Sequence, residues 1–174
     1  MPRNAANTWQ DGSDYAERLM NFFYPMHYRL GMEMESAMGQ GRVDRKQGAM
    51  LWLIFSRRDS EGWVRRKEIL RELSGWFEIS EAKVSRMLRE LSNDPTDFII
   101  LAESPDSSRE RVLRLSDSGV SFVETMRLEA MSYLAKQMQH LSREELDWGL
   151  SFLEKAFFRT ASAARTLPPF PGER

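Results

Sequence analysis

The chain of 174 residues contains no cysteine. That excludes disulfides, thiolate-ligated zinc and thiol redox sensing, and it makes the reducing cytoplasm the simplest compartment. Histidine is nearly absent as well: His27 and His140 are the two present, neither has ligand-spaced partners, and no metal site is expected. Long apolar runs are missing. AMLWLIF (49–55) and FIILA (98–102) are far too short to span a bilayer, so no membrane partner is expected. The opening MPRNAANTWQDG lacks the apolar region of a secretory signal. There is no phosphate-cradling glycine loop and no G-x-S-x-G turn. No catalytic residue and no cofactor are therefore read from the chain, and an enzyme is not expected. A strong charge of one sign is lacking too, since the net charge is −1. Residues 42–114 hold 15 Lys+Arg against 13 Asp+Glu and the remainder 10 against 13, a split of +2 and −3. That bias is compatible with a nucleic-acid partner without requiring one.

What is present is a globular composition, with 41% hydrophobic and 29% charged residues. Residues 1–12 are polar and expected to be flexible. From Ser13 to Met38 the apolar positions Tyr15, Leu19, Phe22, Met26, Leu30, Met34 and Met38 recur at three and four, the period of an amphipathic helix. Pro25 interrupts it, so the spacing predicts either a kink near Asn21–Pro25 or two shorter helices meeting there. GQGR (39–42) is a break. Asp44 with Gln47 reads as a capping-box variant opening a helix with Met50, Leu51, Leu53, Ile54 and Phe55 inward. Trp63–Val64 suits a very short strand. KEILREL (67–73) suits a short helix, and SGWFEI (74–79) a turn.

SEAKVSRMLRELS (80–92) follows, with Ser80 as a plausible N-cap. Val84, Leu88 and Leu91 form a buried stripe. Ala82, Ser85, Arg86 and Arg89 gather on the opposite face, with Lys83 on its flank. FIILAES (98–104) and ERVLRLS (110–116) then read as two strands around the turn PDSSR, a hairpin with Arg109 at its tip. A helix from Ser118 to about His140 carries a wide apolar arc, Phe122, Val123, Met126, Ala130, Met131, Leu134 and Met138, and is expected to be covered on two sides. SREE (142–145) is a capping box opening a helix with Leu146, Leu150, Leu153 and Phe157 in line. TLPPFPGER (166–174) cannot continue a helix, and the tail 159–174 is expected to be flexible.

Helix, short strand, helix, turn, helix and hairpin in that order make a winged helix-turn-helix. The fold expected is mainly α with a small β-hairpin. In that frame 80–92 is the helix a DNA major groove would admit. Arg86 and Arg89 would supply donors to guanine edges or phosphates, Ala82 and Ser85 would let the backbone come close, and Lys83 would reach a phosphate. Arg109 would reach the DNA backbone or a minor groove, and Arg66 and Lys67 would flank the site. The plainer readings stand beside these. Arg86 and Arg89 also suit a solvated face paired with Glu90, Arg109 an exposed tip, and Arg65, Arg66 and Lys67 ordinary solubility.

SEAKVSRMLREL, SSRERVLRLSDSGV and SREELDWGLSFLEKAF together make the chain resemble the MarR family of bacterial transcriptional regulators. Leu115, Ser116 and Gly119 match that family's Leu-Thr-x-x-Gly turn after the wing. Arg109 matches its wing-tip arginine, with Ser107 where the family commonly has Asp. The resemblance implies a triangular homodimer. N- and C-terminal dimerisation helices (13–43 and 118–158) would flank a DNA-binding lobe (44–117), and two recognition helices would enter successive grooves. Tyr15, Phe22, Leu146, Leu150, Leu153 and Phe157 are the expected dimer contacts, because a monomer would leave them partly in water. The expected function is a sequence-specific double-stranded-DNA-binding regulator, a repressor by preference. The alternative is a winged-helix protein-interaction module that binds no DNA, favoured by Glu78, Glu81 and Glu90 around the recognition helix. Eight of the eleven methionines lie in the flanking helices. They suit either core packing or an adaptable pocket for a small apolar or phenolic effector, with Arg18 or Arg29 as a carboxylate partner.

Overall fold

A computed structural model describes residues 8–93, 95–105 and 107–158, apart from the side chains of 8–13, 107–109, 157 and 158. The expected flexible tail and residues 1–7 lie outside the described residues. The first helix, α1, spans Thr8–Tyr24 and so starts before the expected Ser13. At Pro25 the helical course continues without a break. It widens into a π-helical segment, Pro25–Gly31, and returns to α-helix as α2, Met32–Gly39. Pro25 has no N–H to donate and its ring crowds the preceding turn, and widening the turn relieves both. Gln40 (φ 50°) and Gly41 (φ 69°) then take left-handed conformations that stop α2.

Helix α3 (Arg45–Arg57) opens on the expected capping box. Asp44 Oδ1 accepts the Gln47 N–H at 2.8 Å, and Gln47 Oε1 accepts the Asp44 N–H at 2.9 Å. Strand β1 is Val64–Arg65, one residue later than the sequence suggested. Helix α4 runs Arg66–Trp76, so Ser74, Gly75 and Trp76, read as turn, continue the helix. Helix α5 is Glu81–Leu91, capped by the Ser80 hydroxyl accepting the Lys83 N–H at 3.2 Å. Strands β2 (Ile99–Ser104) and β3 (Ser107–Leu115) pair antiparallel. The hairpin turn is therefore shorter than PDSSR, and Arg109 belongs to β3 rather than to the tip. The sheet has three strands in the order β1-β3-β2, with Val64 opposite Leu113 and Ile99 opposite Leu115. Val112 and Leu113, on opposite faces of the central strand β3, are both buried.

Helix α6 (Asp117–Met138) begins at the Ser116 N-cap, and α7 (Arg143–Leu153) at the Ser142–Glu145 capping box. A second π-helical segment, Glu154–Phe158, follows. The core lies where α3, α4, α5, the sheet and the first turns of α6 meet. Met50, Leu53, Ile54, Ile69, Leu73, Val84, Met87, Phe98, Leu113, Phe122 and Met126 are buried there. Met87 belongs to the inward stripe of α5, and the Val84–Leu88–Leu91 reading missed it. The arc on α6 is covered over its first half, while Met131 and Met138 remain exposed. The described side chains of α1 and α7 contribute no buried residue.

Candidate nucleic-acid interface

The buried stripe of α5 anchors the helix on α3 and α4 and turns its polar face outward. Ala82, Arg86 and Arg89 are exposed, and Lys83 and Ser85 are half-buried. Arg66, at the start of α4, ties the two helices of the motif together. Its Nη1 meets Glu81 Oε1 at 3.2 Å and its Nη2 donates to Ser85 Oγ at 2.9 Å. Ser85 in turn donates to the Glu81 carbonyl at 2.9 Å. Two expected contact residues, Arg66 and Ser85, thus engage each other within the chain.

The other cations are also held. Arg86 Nε donates to Glu90 Oε1 at 2.7 Å, the pair foreseen as the plainer reading of this face. Arg89 Nε donates to the Ser85 carbonyl at 3.4 Å. Lys67 Nζ lies 2.6 Å from Glu110 Oε1 and Arg65 Nε 3.8 Å from Glu110 Oε2. The Lys67 hydrogen bond, reinforced by the charges of Lys67 and Arg65, holds the Glu110 carboxyl below its ordinary range. The Arg86 hydrogen bond does the same for Glu90, helped by the charges of Arg86 and Lys83 and by Gln47. The face is therefore a lattice of charge pairs rather than a bare basic patch. Each of these pairs has at least one exposed partner, so each contributes little to stability. Ala82 and Ser85 leave room for close approach to a groove. The Arg109 side chain lies outside the described residues. Glu110 was not singled out from the sequence, and Gln47 only as a capping residue, because their partners Lys67 and Glu90 are 43 residues distant in each case and no local spacing links them.

A second feature lies between the outer helices and the winged lobe. Met34, Met38, Trp52, Trp76, Phe77 and Met126 line an open, mostly apolar cleft of about 370 Å³. Methionines of α2 and α6 do meet there. Arg18 and Arg29 do not line it. Arg18 stands over the Tyr15 ring and Arg29 pairs with Glu33 at 3.6 Å. The cation at the cleft is Arg45, paired with Glu35 at 3.0 Å. Trp76 and Phe77 escaped notice because they read as turn.

Most of the expected dimer contacts are exposed apolar side chains. Tyr15 is 65% exposed, Phe22 59% and Leu150 61%, with Leu153 also exposed and Leu146 half-buried. The Phe157 side chain lies outside the described residues. Leu19, Phe23, Tyr24, Tyr28, Trp148 and Phe152 extend the same exposed set. Among the described residues no group of three metal-ligating side chains occurs, and no helix is long and apolar enough to cross a membrane.

No protein-family model and no curated protein matches the chain. Solved structures do. The YusO protein from Bacillus subtilis superposes with a TM-score of 0.61 at 22% identity, covering 93% of this chain and 100% of that one. A MarR family transcription regulator gives 0.65 at 18% identity, covering 91% and 100%. An S. aureus MepR–DNA complex gives 0.58 at 18% identity, covering 78% and 96%. At such identities the likeness is one of architecture, and the chain has the MarR-like winged helix-turn-helix fold, expanded at both ends by long helices.

Proposed function

We propose that the protein is a sequence-specific, double-stranded-DNA-binding transcriptional regulator that acts as a homodimer and represses its targets. The observation that carries this reading is the outward face of α5: small residues and arginines on a helix fixed from behind, in a fold also found in a protein–DNA complex. In this reading α5 enters the major groove with Arg86 and Arg89 toward base edges or phosphates. Ala82 and Ser85 permit close approach, and Lys83, Arg66 and Lys67 meet the DNA backbone. The wing, with Arg109, follows the backbone or minor groove. DNA phosphates would replace Glu81 and Glu110 as partners of Arg66 and Lys67.

The exposed apolar side chains of α1, the π-helical segment and α7 support pairing with a second copy. A two-fold pair covers them and sets two recognition helices about one DNA turn, ~34 Å, apart. The cleft beside α2 and α3 suits a flat apolar or phenolic effector, which would shift DNA affinity only by binding one arrangement of the two lobes better than the other.

A protein-interaction module is the second reading, and the pairing of Arg66, Lys67 and Arg86 with acids favours it. Titrating the protein with random-sequence duplex DNA at increasing salt separates the two. A regulator shows measurable binding at low salt that weakens steeply as salt rises. Absence of binding at low salt overturns the DNA reading.

A further inference from the structure

Glu90 makes two contacts with its two oxygens. Oε1 accepts from Arg86 Nε at 2.7 Å, one turn earlier on α5. Oε2 accepts from Gln47 Nε2 at 3.1 Å, across on α3. Gln47 is itself immobilised, since it forms both halves of the capping box with Asp44. A helix N-terminus in the body of the lobe therefore fixes Glu90, and Glu90 fixes Arg86. Glu90 is half-buried, whereas the Arg86 side chain is 69% exposed.

The atom used on Arg86 matters. Guanidinium has five N–H donors, and Nε carries the one nearest the stem. With Nε engaged, the terminal Nη1 and Nη2 donors are left over. Among the described residues those two make no hydrogen bond. Guanine presents O6 and N7 side by side in the major groove, a match for two parallel donors. Glu90 also sets its charge against that of Arg86, which weakens the pull of Arg86 toward phosphates.

We propose that Glu90, anchored by Gln47, is a positioning residue that presents Arg86 end-on to a guanine and confines it to base discrimination. This rests on the DNA-binding reading above. It has a consequence that ordinary structural support does not. Removing Glu90 frees Arg86 to swing to a phosphate, so discrimination falls while sequence-independent affinity and its salt dependence rise.

The experiment uses full-length wild type, Glu90→Ala, Glu90→Gln and Arg86→Ala. Each selects duplexes from a random pool and is then titrated with the selected duplex and one unselected duplex at several salt concentrations. Thermal unfolding confirms that each variant is folded. Wild type is expected to select a guanine that Arg86→Ala ceases to prefer, with a loss of about tenfold. Glu90→Ala should lose preference at that same base pair, bind the unselected duplex more tightly and steepen the salt slope by about 0.9, one phosphate. Glu90→Gln keeps an acceptor oxygen without the charge, so it should steepen the slope equally and retain more of the preference. If both Glu90 variants keep the wild-type preference and slope, or weaken both duplexes alike, the proposal is overturned. The same holds if the preference proves independent of Arg86, which leaves the DNA reading standing. Wild type that selects no sequence overturns the DNA reading itself.

Discussion

A β-carbon on Gly119 would stand 2.1 Å from the carbonyl oxygen of Phe98. The crowding has a visible origin. The Phe98 carbonyl accepts the Ser116 N–H at 3.0 Å, and the Ser116 hydroxyl accepts the Gly119 N–H at 3.0 Å. The start of α6 is thereby pressed onto the chain entering β2. Gly119→Ala should destabilise the protein by roughly 1–3 kcal/mol, the range for overpacking, despite the ~1 kcal/mol that alanine gains in a helix. Urea unfolding checks this. The midpoint should fall with an unchanged slope, and an unchanged or raised midpoint would contradict the close approach.

Glu145 closes the capping box of α7. Its carboxylate accepts the Ser142 N–H and hydroxyl, each at 2.8 Å. Those hydrogen bonds, the backbone one first, hold its pKa below the ordinary value. A lowered folded-state pKa stabilises above the unfolded value, about 4.3, and the benefit is lost as pH falls through the folded value. The stability difference between wild type and Glu145→Ala should therefore be largest at neutral pH and shrink in acid. Denaturation curves at several pH values test this, and a difference that grows in acid would contradict it.

Arg86→Ala/Arg89→Ala should weaken binding to a selected duplex and relax its sequence preference. A base-reading arginine contributes about 1–3 kcal/mol of discrimination. Gel shift or anisotropy titration measures it, and wild-type affinity in the double variant would remove α5 from the interface.

Arg109→Ala should lower affinity for related duplexes evenly and reduce the salt slope by about one phosphate contact. A change in base preference with an unaltered slope would instead make Arg109 a sequence reader.

Leu150→Glu should dissociate the homodimer or prevent folding, because it places a charge among the exposed apolar side chains of α7. Sedimentation of the wild type should give twice the chain mass at micromolar concentration. A folded wild-type monomer there would end the homodimer reading.

Local pattern was enough to place most helices. The Asp44–Gln47 and Ser142–Glu145 capping boxes, the Ser80 cap and the inward stripe of α5 are all fixed by residues within one or two turns, and such short-range preferences are legible in a linear chain. The outward set Ala82, Arg86 and Arg89 was legible for the same reason. Local pattern failed where a neighbour in space changed the balance. Trp76 stays helical beside the apolar cleft although SGWF reads as turn. β3 is the central strand because β1 pairs with it on the side away from β2. Pairing of β1 with β3 joins segments far apart in the chain, and no periodicity reports it. The Arg86–Glu90 pair, one turn apart on α5, was legible too. Lys67 with Glu110, and Glu90 with Gln47, meet only because the folded core brings α4 against β3 and α5 against α3.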